Sequence, residues 1–176
     1  MDLPSRDWGR LAYGERGALE GTIMAATALD VAAYILAKEA PMSAMKLQKL
    51  CYFAYGYHMA WEDRQLFPER FEAWANGPVV YELYDQHRGK YRLDHGDIIG
   101  DPAVLDDDER ESVNIVLESF KAYTAHELSA MTHRPGPWLD ARRRAGVEDD
   151  LKRSNEELRD EEIADFFGAL VGREDD

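Results

Sequence analysis

A chain of 176 residues with 21 Lys and Arg against 35 Asp and Glu has a formal net charge of −14, and this acidic field disfavours binding to the phosphate backbone of nucleic acids. A hydrophobic content of 45% predicts a folded body, and no apolar run approaches the roughly 20 residues that span a bilayer. One cysteine excludes an internal disulfide and a multi-cysteine metal site, and the lack of an apolar signal segment leads us to expect a cytoplasmic protein.

The domain organisation follows from where periodicity begins and ends. Residues 1–25 contain four glycines and no convincing helical or strand pattern, so we predict a partly ordered N-terminal arm. Residues 26–171 are predicted to form a single helical domain. The last residues, 172–176, are expected to be a disordered acidic tail.

The first predicted helix begins near residue 28. Thr27 and Asp30 resemble a capping box in which Asp replaces the usual Glu. Pro41 ends the helix, and the very short connection to the next helix favours an antiparallel pair.

The second helix, at about 43–61, is the longest apolar-periodic stretch of the chain. Ser43 is suited to be its N-cap, and apolar residues recur every three or four positions after it. Cys51 falls in this stripe and is interpreted as a small buried hydrophobe. Lys46 and Lys49 lie off the stripe, so we expect both to face solvent or a partner.

A short β element is predicted next, near 71–75, where apolar residues alternate with other types at period two. Asn76 and Gly77 supply a turn, and Pro78 is suited to the first position of a helix that runs to about His87. Trp74 lies on the strand face opposite Phe71 and Ala73, which makes it a candidate for the surface.

A glycine-containing loop follows, from Gly89 to Pro102, with a short strand expected near residues 91–93 or 98–99. Loops of this kind often hold binding residues, so either this loop or the N-terminal arm is a candidate for setting specificity.

Capping boxes at 106–109 and 124–127 predict two further helices, and a last helix is predicted at 160–170. The basic cluster Arg142–Arg144 is interpreted as a solvated helix end, in preference to a phosphate or nucleic-acid contact, because acidic residues follow it directly. The fold class is therefore mainly α: a compact bundle of about six helices around the central helix, with the small β element beside it.

Motifs of catalysis are missing from the sequence. It contains no HExxH, GxSxG, GxxxxGK[ST] or GxGxxG pattern, so we expect no metal, no cofactor and no enzymatic activity. His133 is expected to order a turn through a hydrogen bond. A carboxylate–histidine site assembled only in three dimensions would instead make the protein a small hydrolase or transferase.

Seven side chains are candidates for binding a partner, since aromatic residues and arginine are enriched at binding hot spots. They are Lys46, Lys49, Trp74, Tyr81, Tyr84, Arg134 and Trp138. For Tyr84 and Trp138 an interpretation as core aromatics competes with this one, and for the two lysines simple solvation competes.

Three linked motifs resemble those of one protein family. The segments MKLQKLCYFAYGYHMAW, FEAWANGPVVYELY and ELSAMTHRPGPW occur in this order, and LRDEEIADFF matches the family's closing helix. Together they resemble the Panacea domain, also called the SocA-like antitoxin domain, of bacterial and phage-associated proteins. The resemblance extends from about Leu29 to Leu170.

This resemblance implies an antitoxin that binds and neutralises a toxin encoded nearby. The family's toxins are diverse and include alarmone-synthetase-like enzymes that block translation. The mechanism we expect is occlusion of the toxin by direct contact, with the acidic field speeding encounter with a basic surface. The resemblance also implies an alternative, because one family member is understood as an adaptor that delivers a toxin to an ATP-dependent protease.

Overall fold

A computed structural model describes residues 25–172 of the chain, and within them it contains seven α-helices and two small antiparallel sheets. The elements in order are α1 (Ala28–Glu39), β1 (Met42–Ser43), α2 (Ala44–Glu62), β2 (Phe71–Trp74), β3 (Gly77–Val80), α3 (Tyr81–His87), β4 (Arg92–Leu93), α4 (Asp107–Phe120), α5 (Ala125–Thr132), α6 (Pro137–Arg144) and α7 (Asp160–Gly172). The predicted mainly-α bundle is confirmed. The predicted arm and the last four residues lie outside the described part, apart from residue 25.

Helix α2 is the centre of the fold, and it contacts α1, α4, α5, α7 and β3. Every residue from Leu47 to Met59 is buried, so the helix is covered on all sides. The predicted buried stripe is confirmed, but burial extends around the helix in this stretch and includes Lys49, which lies off the stripe. The hairpin and α5 cover the face that a single amphipathic stripe would have left in water.

Aromatic rings join α2 to its neighbours. Phe53 stacks on Phe120 of α4 with ring centroids 4.7 Å apart, and Tyr57 meets Phe167 of α7 edge-on at 4.9 Å. Edge-to-face and offset rings at these separations contribute about 0.5–1.5 kcal/mol beyond the area they bury. These contacts fix α4 and α7 against α2.

Strands β2 and β3 form a hairpin, with Phe71 opposite Val80 and Trp74 opposite Gly77. The alternation predicted for β2 is confirmed, since its residues are buried and half-buried in turn. The helix predicted to begin at Pro78 was wrong, because residues 77–80 are the second strand and α3 begins at Tyr81.

Side chains of α2 explain why this segment is a strand. Gln48 accepts a hydrogen bond from the Val80 N–H (3.0 Å) and donates one to its carbonyl (3.2 Å). Lys49 Nζ donates to the Pro78 carbonyl (2.9 Å). The free edge of β3 thus has its backbone groups satisfied by side chains, and Pro78 has no N–H to satisfy.

The opposite edge of the hairpin, on β2, is paired with the chain ahead of α7. The Ala73 N–H donates to the Glu156 carbonyl (2.9 Å), and the Leu158 N–H donates to the Phe71 carbonyl (2.8 Å). The second sheet pairs β1 with β4, which confirms the short strand predicted near residues 91–93.

The helix starts predicted from capping residues are confirmed. Capping boxes form at Thr27, Asp106 and Thr124, and the Ser43 hydroxyl accepts from the Lys46 N–H. Within residues 25–172 no helix combines the length and the apolar character needed to cross a bilayer.

Gly56 offers a test of the α2–α7 packing. A Cβ at this position would overlap the Phe167 ring, whereas nothing lies within 4 Å of a Cβ added at Gly168, on the exposed side of α7. We expect Gly56→Ala to lower the free energy of unfolding by about 3 kcal/mol through overpacking. Gly168→Ala should instead raise it by up to about 1 kcal/mol, because alanine favours helix.

Urea unfolding of both variants measures these changes. Equal stability of the two variants would contradict the close approach of α7 to α2.

Candidate protein-binding site

A cavity of about 260 Å³ opens between the start of α2, the hairpin and α3, and we call it the hairpin pocket. Its apolar lining is Ala44, Met45, Trp74, Ala75, Val79 and Tyr84. Its polar lining is Gln48, Lys49, Asn76, His87 and Arg153. A mostly apolar concavity with a few polar groups is the usual form of a binding site.

Aromatic residues form one side of the hairpin pocket. Trp74 and Tyr84 meet edge-on with centroids 4.7 Å apart, and Tyr81 lies beside Tyr84 at 6.1 Å. The guanidinium of Arg153 lies 3.7 Å from the centre of the Trp74 ring, a cation–π contact. Trp74 and Tyr84 are half-buried and Tyr81 is 40% exposed, so these rings are accessible from one direction.

Lys49 lies at the inner end of the hairpin pocket and is only 1% exposed. It was expected to face solvent or a partner, and it does not face solvent, because its side chain points to the hairpin and bonds to the Pro78 carbonyl. Burial removes water from the ammonium group and lowers the pKa of Lys49 to about 7.

His87 also lines the pocket, where its Nε2 lies 3.1 Å from the Nε2 of Gln48. An amide nitrogen can only donate, so this imidazole nitrogen is the acceptor and the ring is neutral in this arrangement. Burial lowers the pKa of His87, which favours the same neutral form.

Residues 47–139 match the family model described as Antitoxin SocA-like, Panacea domain. This chain belongs to the SocA-like antitoxin family. Antitoxin SocA of Caulobacter vibrioides (strain NA1000 / CB15N) is 34% identical over an alignment of 122 residues, and the match covers 62% of this chain and 63% of that protein. The match thus spans less than two thirds of that relative's length. No solved structure matches the chain.

The residues matched by the family model form only part of the hairpin pocket of this SocA-like domain. Both strands, α3 and the buried Gln48 and Lys49 lie within the matched residues. Arg153 lies beyond them. Sequence reasoning missed Arg153, because it stands in a stretch of mixed charges with no periodic pattern to single it out.

Trp138 lies behind the hairpin and is 1% exposed, as the core interpretation predicts. Its indole N–H donates to the Trp74 carbonyl (2.7 Å). His133 stacks on the Trp138 ring at 4.1 Å, so it orders the turn before α6 by packing. In the SocA-like domain Trp138 therefore supports the pocket from inside and does not form its surface.

Arg142 was misplaced by the sequence prediction, since it is neither a solvated helix end nor a phosphate contact. It is 1% exposed and donates to the carbonyls of Ala73 (2.9 Å), Asp149 (2.7 Å) and Lys152 (2.7 Å). These carbonyls belong to β2 and to the loop ahead of Arg153. Arg142 therefore joins the hairpin to the loop that completes the pocket.

The other two arginines of this cluster differ from each other. Arg144 forms ion pairs with Glu156 (3.4 Å) and Glu162 (2.6 Å), while Arg143 is exposed. The predicted solvated helix end therefore describes Arg143 alone.

The remaining two candidates lie elsewhere. Lys46 donates to the Lys121 carbonyl near the end of α4. Arg134 is exposed beside a second cavity of about 180 Å³ between α2, α7 and the turn before α6. Of the seven predicted residues, the structure thus brings Trp74, Tyr81 and Tyr84 together, with Lys49 beneath them.

Metal-binding and thiol chemistry find little support in the described part of the chain. No group of three or more His, Cys, Asp or Glu side chains there is arranged to hold a metal ion. Cys51 is buried, and burial raises the pKa of its thiol to about 12, which keeps it protonated and unreactive.

The lowered pKa of Lys49 predicts how stability depends on pH. Between pH 7 and the ordinary lysine value of 10.5 the unfolded chain holds a proton here that the folded chain has released, so stability rises with pH. From pH 7 to 8.5 we expect this group to add about 1.5 kcal/mol to the free energy of unfolding. Lys49→Met should lack this increase.

Urea unfolding at both pH values measures the difference, and Lys46→Met on the same helix is the control that should keep the wild-type slope. A wild-type slope in Lys49→Met would contradict the assignment.

Arg142 and Arg143 form a second matched pair. Arg142→Met leaves three carbonyls without their donor, and we expect a loss of about 3 kcal/mol in the free energy of unfolding. Arg143→Met, one residue further along α6 and exposed, should change stability by less than about 0.5 kcal/mol. Thermal unfolding compares them, and similar melting temperatures would be inconsistent with the role given to Arg142.

Proposed function

We propose that this antitoxin neutralises a toxin by binding it directly, with the toxin covering the hairpin pocket. The observation that supports this site is the meeting of Trp74, Tyr81 and Tyr84 at the mouth of an apolar cavity. Partly exposed tryptophan and tyrosine beside a concavity are typical of the few residues that dominate binding energy.

Rigidity is a second argument for this site. Gln48, Lys49 and Trp138 each bond to the hairpin backbone, so the surface is formed before a partner arrives. A preformed surface loses little conformational entropy on binding, which leaves more of the contact energy for affinity.

Exposed apolar side chains in two loops offer further contact area. Leu151 is 90% exposed and lies in the same loop as Arg153. Tyr91 and Ile99 are about 80% exposed, and both belong to the loop from Gly89 to Pro102, which with the N-terminal arm is one of the two segments predicted as candidates for setting specificity. We assign to these loops the contacts that distinguish one toxin from another.

The proposed mechanism is steric. A rigid body of this size, seated on the toxin's active surface, excludes the toxin's substrate, and no chemical step by the antitoxin is required. The net charge of −14 would steer the chain toward a basic toxin surface at low ionic strength. We place this encounter in the cytoplasm. An alarmone-synthetase-like translation inhibitor is one toxin class that fits the proposal.

Coexpression with the adjacent open reading frame tests the proposal. We expect restored growth together with a stable complex that copurifies with the tagged antitoxin. Trp74→Ala should weaken that complex by about thirtyfold or more, and Tyr81→Ala by about tenfold, because each removes a ring from the contact. Isothermal calorimetry of the purified pair gives these ratios.

Two controls separate the site from general effects. Tyr81→Phe keeps the ring and should retain binding, and His126→Ala removes an exposed ring on α5 that lines neither cavity. Undiminished binding by a folded Trp74→Ala variant would place the interface elsewhere. Growth rescue without a complex, accompanied by loss of the toxin, would favour delivery to an ATP-dependent protease instead.

A further inference from the structure

We infer that the hairpin pocket binds a carboxylate, supplied by an acidic side chain of the partner protein that enters beside Trp74 and meets Lys49 and Arg153. This inference rests on the proposed function, because the partner is the toxin proposed above. The carboxylate is the chemical group of the toxin that the pocket would bind.

The charge of the pocket lining is opposite to that of the chain. The sequence has 35 Asp and Glu, yet the lining includes Lys49 and Arg153 and no carboxylate; the carboxylate of Glu72, outside the lining, accepts a hydrogen bond from the Trp74 indole N–H (2.5 Å). A cavity lined in this way attracts an anion locally, even though the whole molecule is acidic.

Lys49 lacks the partner that a buried ammonium group needs. Across residues 25–172 its one hydrogen bond is to the neutral Pro78 carbonyl, and no carboxylate oxygen lies within 4.0 Å of Nζ. An ammonium group has three N–H donors, so two have no protein acceptor in this part of the chain. A buried charge without a counter-ion is costly, and an entering carboxylate would supply both the charge and the acceptors.

Arg153 is the second cation, at the outer edge of the pocket. Its guanidinium lies on the Trp74 ring, and its Nε donates to the Asn155 side chain (3.0 Å). No carboxylate of the described residues forms an ion pair with it, in contrast to Arg64 and Arg144, each of which contacts two carboxylates. The terminal nitrogens of Arg153 are therefore suited to bidentate binding of a ligand carboxylate.

The size and the walls of the pocket favour a side chain as the ligand. A volume of about 260 Å³ lies just below the usual range of about 300–1,000 Å³ for small-molecule sites. Met45, Val79 and Tyr84 would contact the methylene groups of a glutamate while its charged end reaches the two cations. A lysine or arginine in the same place would meet like charges.

This selectivity is compatible with the steering expected from the net charge. The field of the whole molecule acts before contact, and at physiological ionic strength it falls off over about 8 Å. The pocket acts only after contact, within hydrogen-bonding distance. A basic toxin surface that contains one acidic anchor residue satisfies both conditions.

The site is tested first on the free full-length chain with a defined probe, N-acetyl-glutamate amide, and with N-acetyl-glutamine amide as the matched neutral compound. Heteronuclear NMR follows the Trp74 indole N–H and the Lys49 Cε and Nζ signals. We expect the glutamate compound to shift the Trp74 signal and to raise the pKa of Lys49 above its value of about 7. The glutamine compound should do neither, and equal responses to both compounds would overturn the inference.

The complex with the toxin is tested next. Arg153→Gln should weaken binding at least tenfold, whereas the neighbouring exposed Lys152→Gln should not, although it removes the same charge. Lys49→Met is compared with Lys46→Met in the same way, after both are shown to unfold cooperatively. If Lys49→Met does not fold, Arg153→Gln alone decides the outcome.

The possible failures are distinguishable. A toxin complex that tolerates Arg153→Gln, together with a silent probe titration, would overturn the carboxylate site and leave direct neutralisation standing. Failure to form any toxin complex would overturn the proposed function, and the probe titration would still decide whether the pocket binds a carboxylate.

Discussion

The hairpin and the pocket beside it depend on side chains of the central helix α2, which complete the edge of strand β3. Gln48 and Lys49 satisfy backbone groups of Val80 and Pro78, so a hairpin of only four-residue strands is held against α2 without a third strand on that side. A two-stranded hairpin is marginally stable by itself in water. Its shape, and with it the pocket and the aromatic surface, is therefore set by two adjacent residues of a helix.

Local signals in the sequence were sufficient to predict most of the helices and strands. Ser43 as a cap and the alternation in β2 were predicted correctly, because a cap and an alternating strand depend on residues a few positions apart. Residues 78–80 were predicted as helix because Pro78 suits the first position of a helix. The side chains that complete the strand edge, Gln48 and Lys49, lie about 30 positions away, where no local pattern shows them. Lys49 and Arg142 were placed in solvent for the same reason, since no local pattern shows that a lysine or an arginine faces unpaired carbonyls.

The candidate site was predictable only in part. Trp74, Tyr81 and Tyr84 were identified by residue type, and the hairpin and α3 bring them together. Arg153 reaches Trp74 across 79 positions of sequence, a contact that no spacing rule reveals. The charge of the pocket could not be predicted from the net charge. The value of −14 describes the field far from the molecule, whereas the cavity is lined by cations.

The Arg142 side chain bonds to the loop ahead of Arg153 through main-chain carbonyls, those of Asp149 and Lys152. Every amino acid provides the same carbonyl, so these two bonds do not depend on which side chains stand at residues 149 and 152. Substitutions at residues 150–152 can then change the surface beside Arg153 while these bonds still hold the loop. The SocA-like scaffold thus separates the part that must be kept for folding from a part that is free to vary, which is the condition for one fold to acquire new partners.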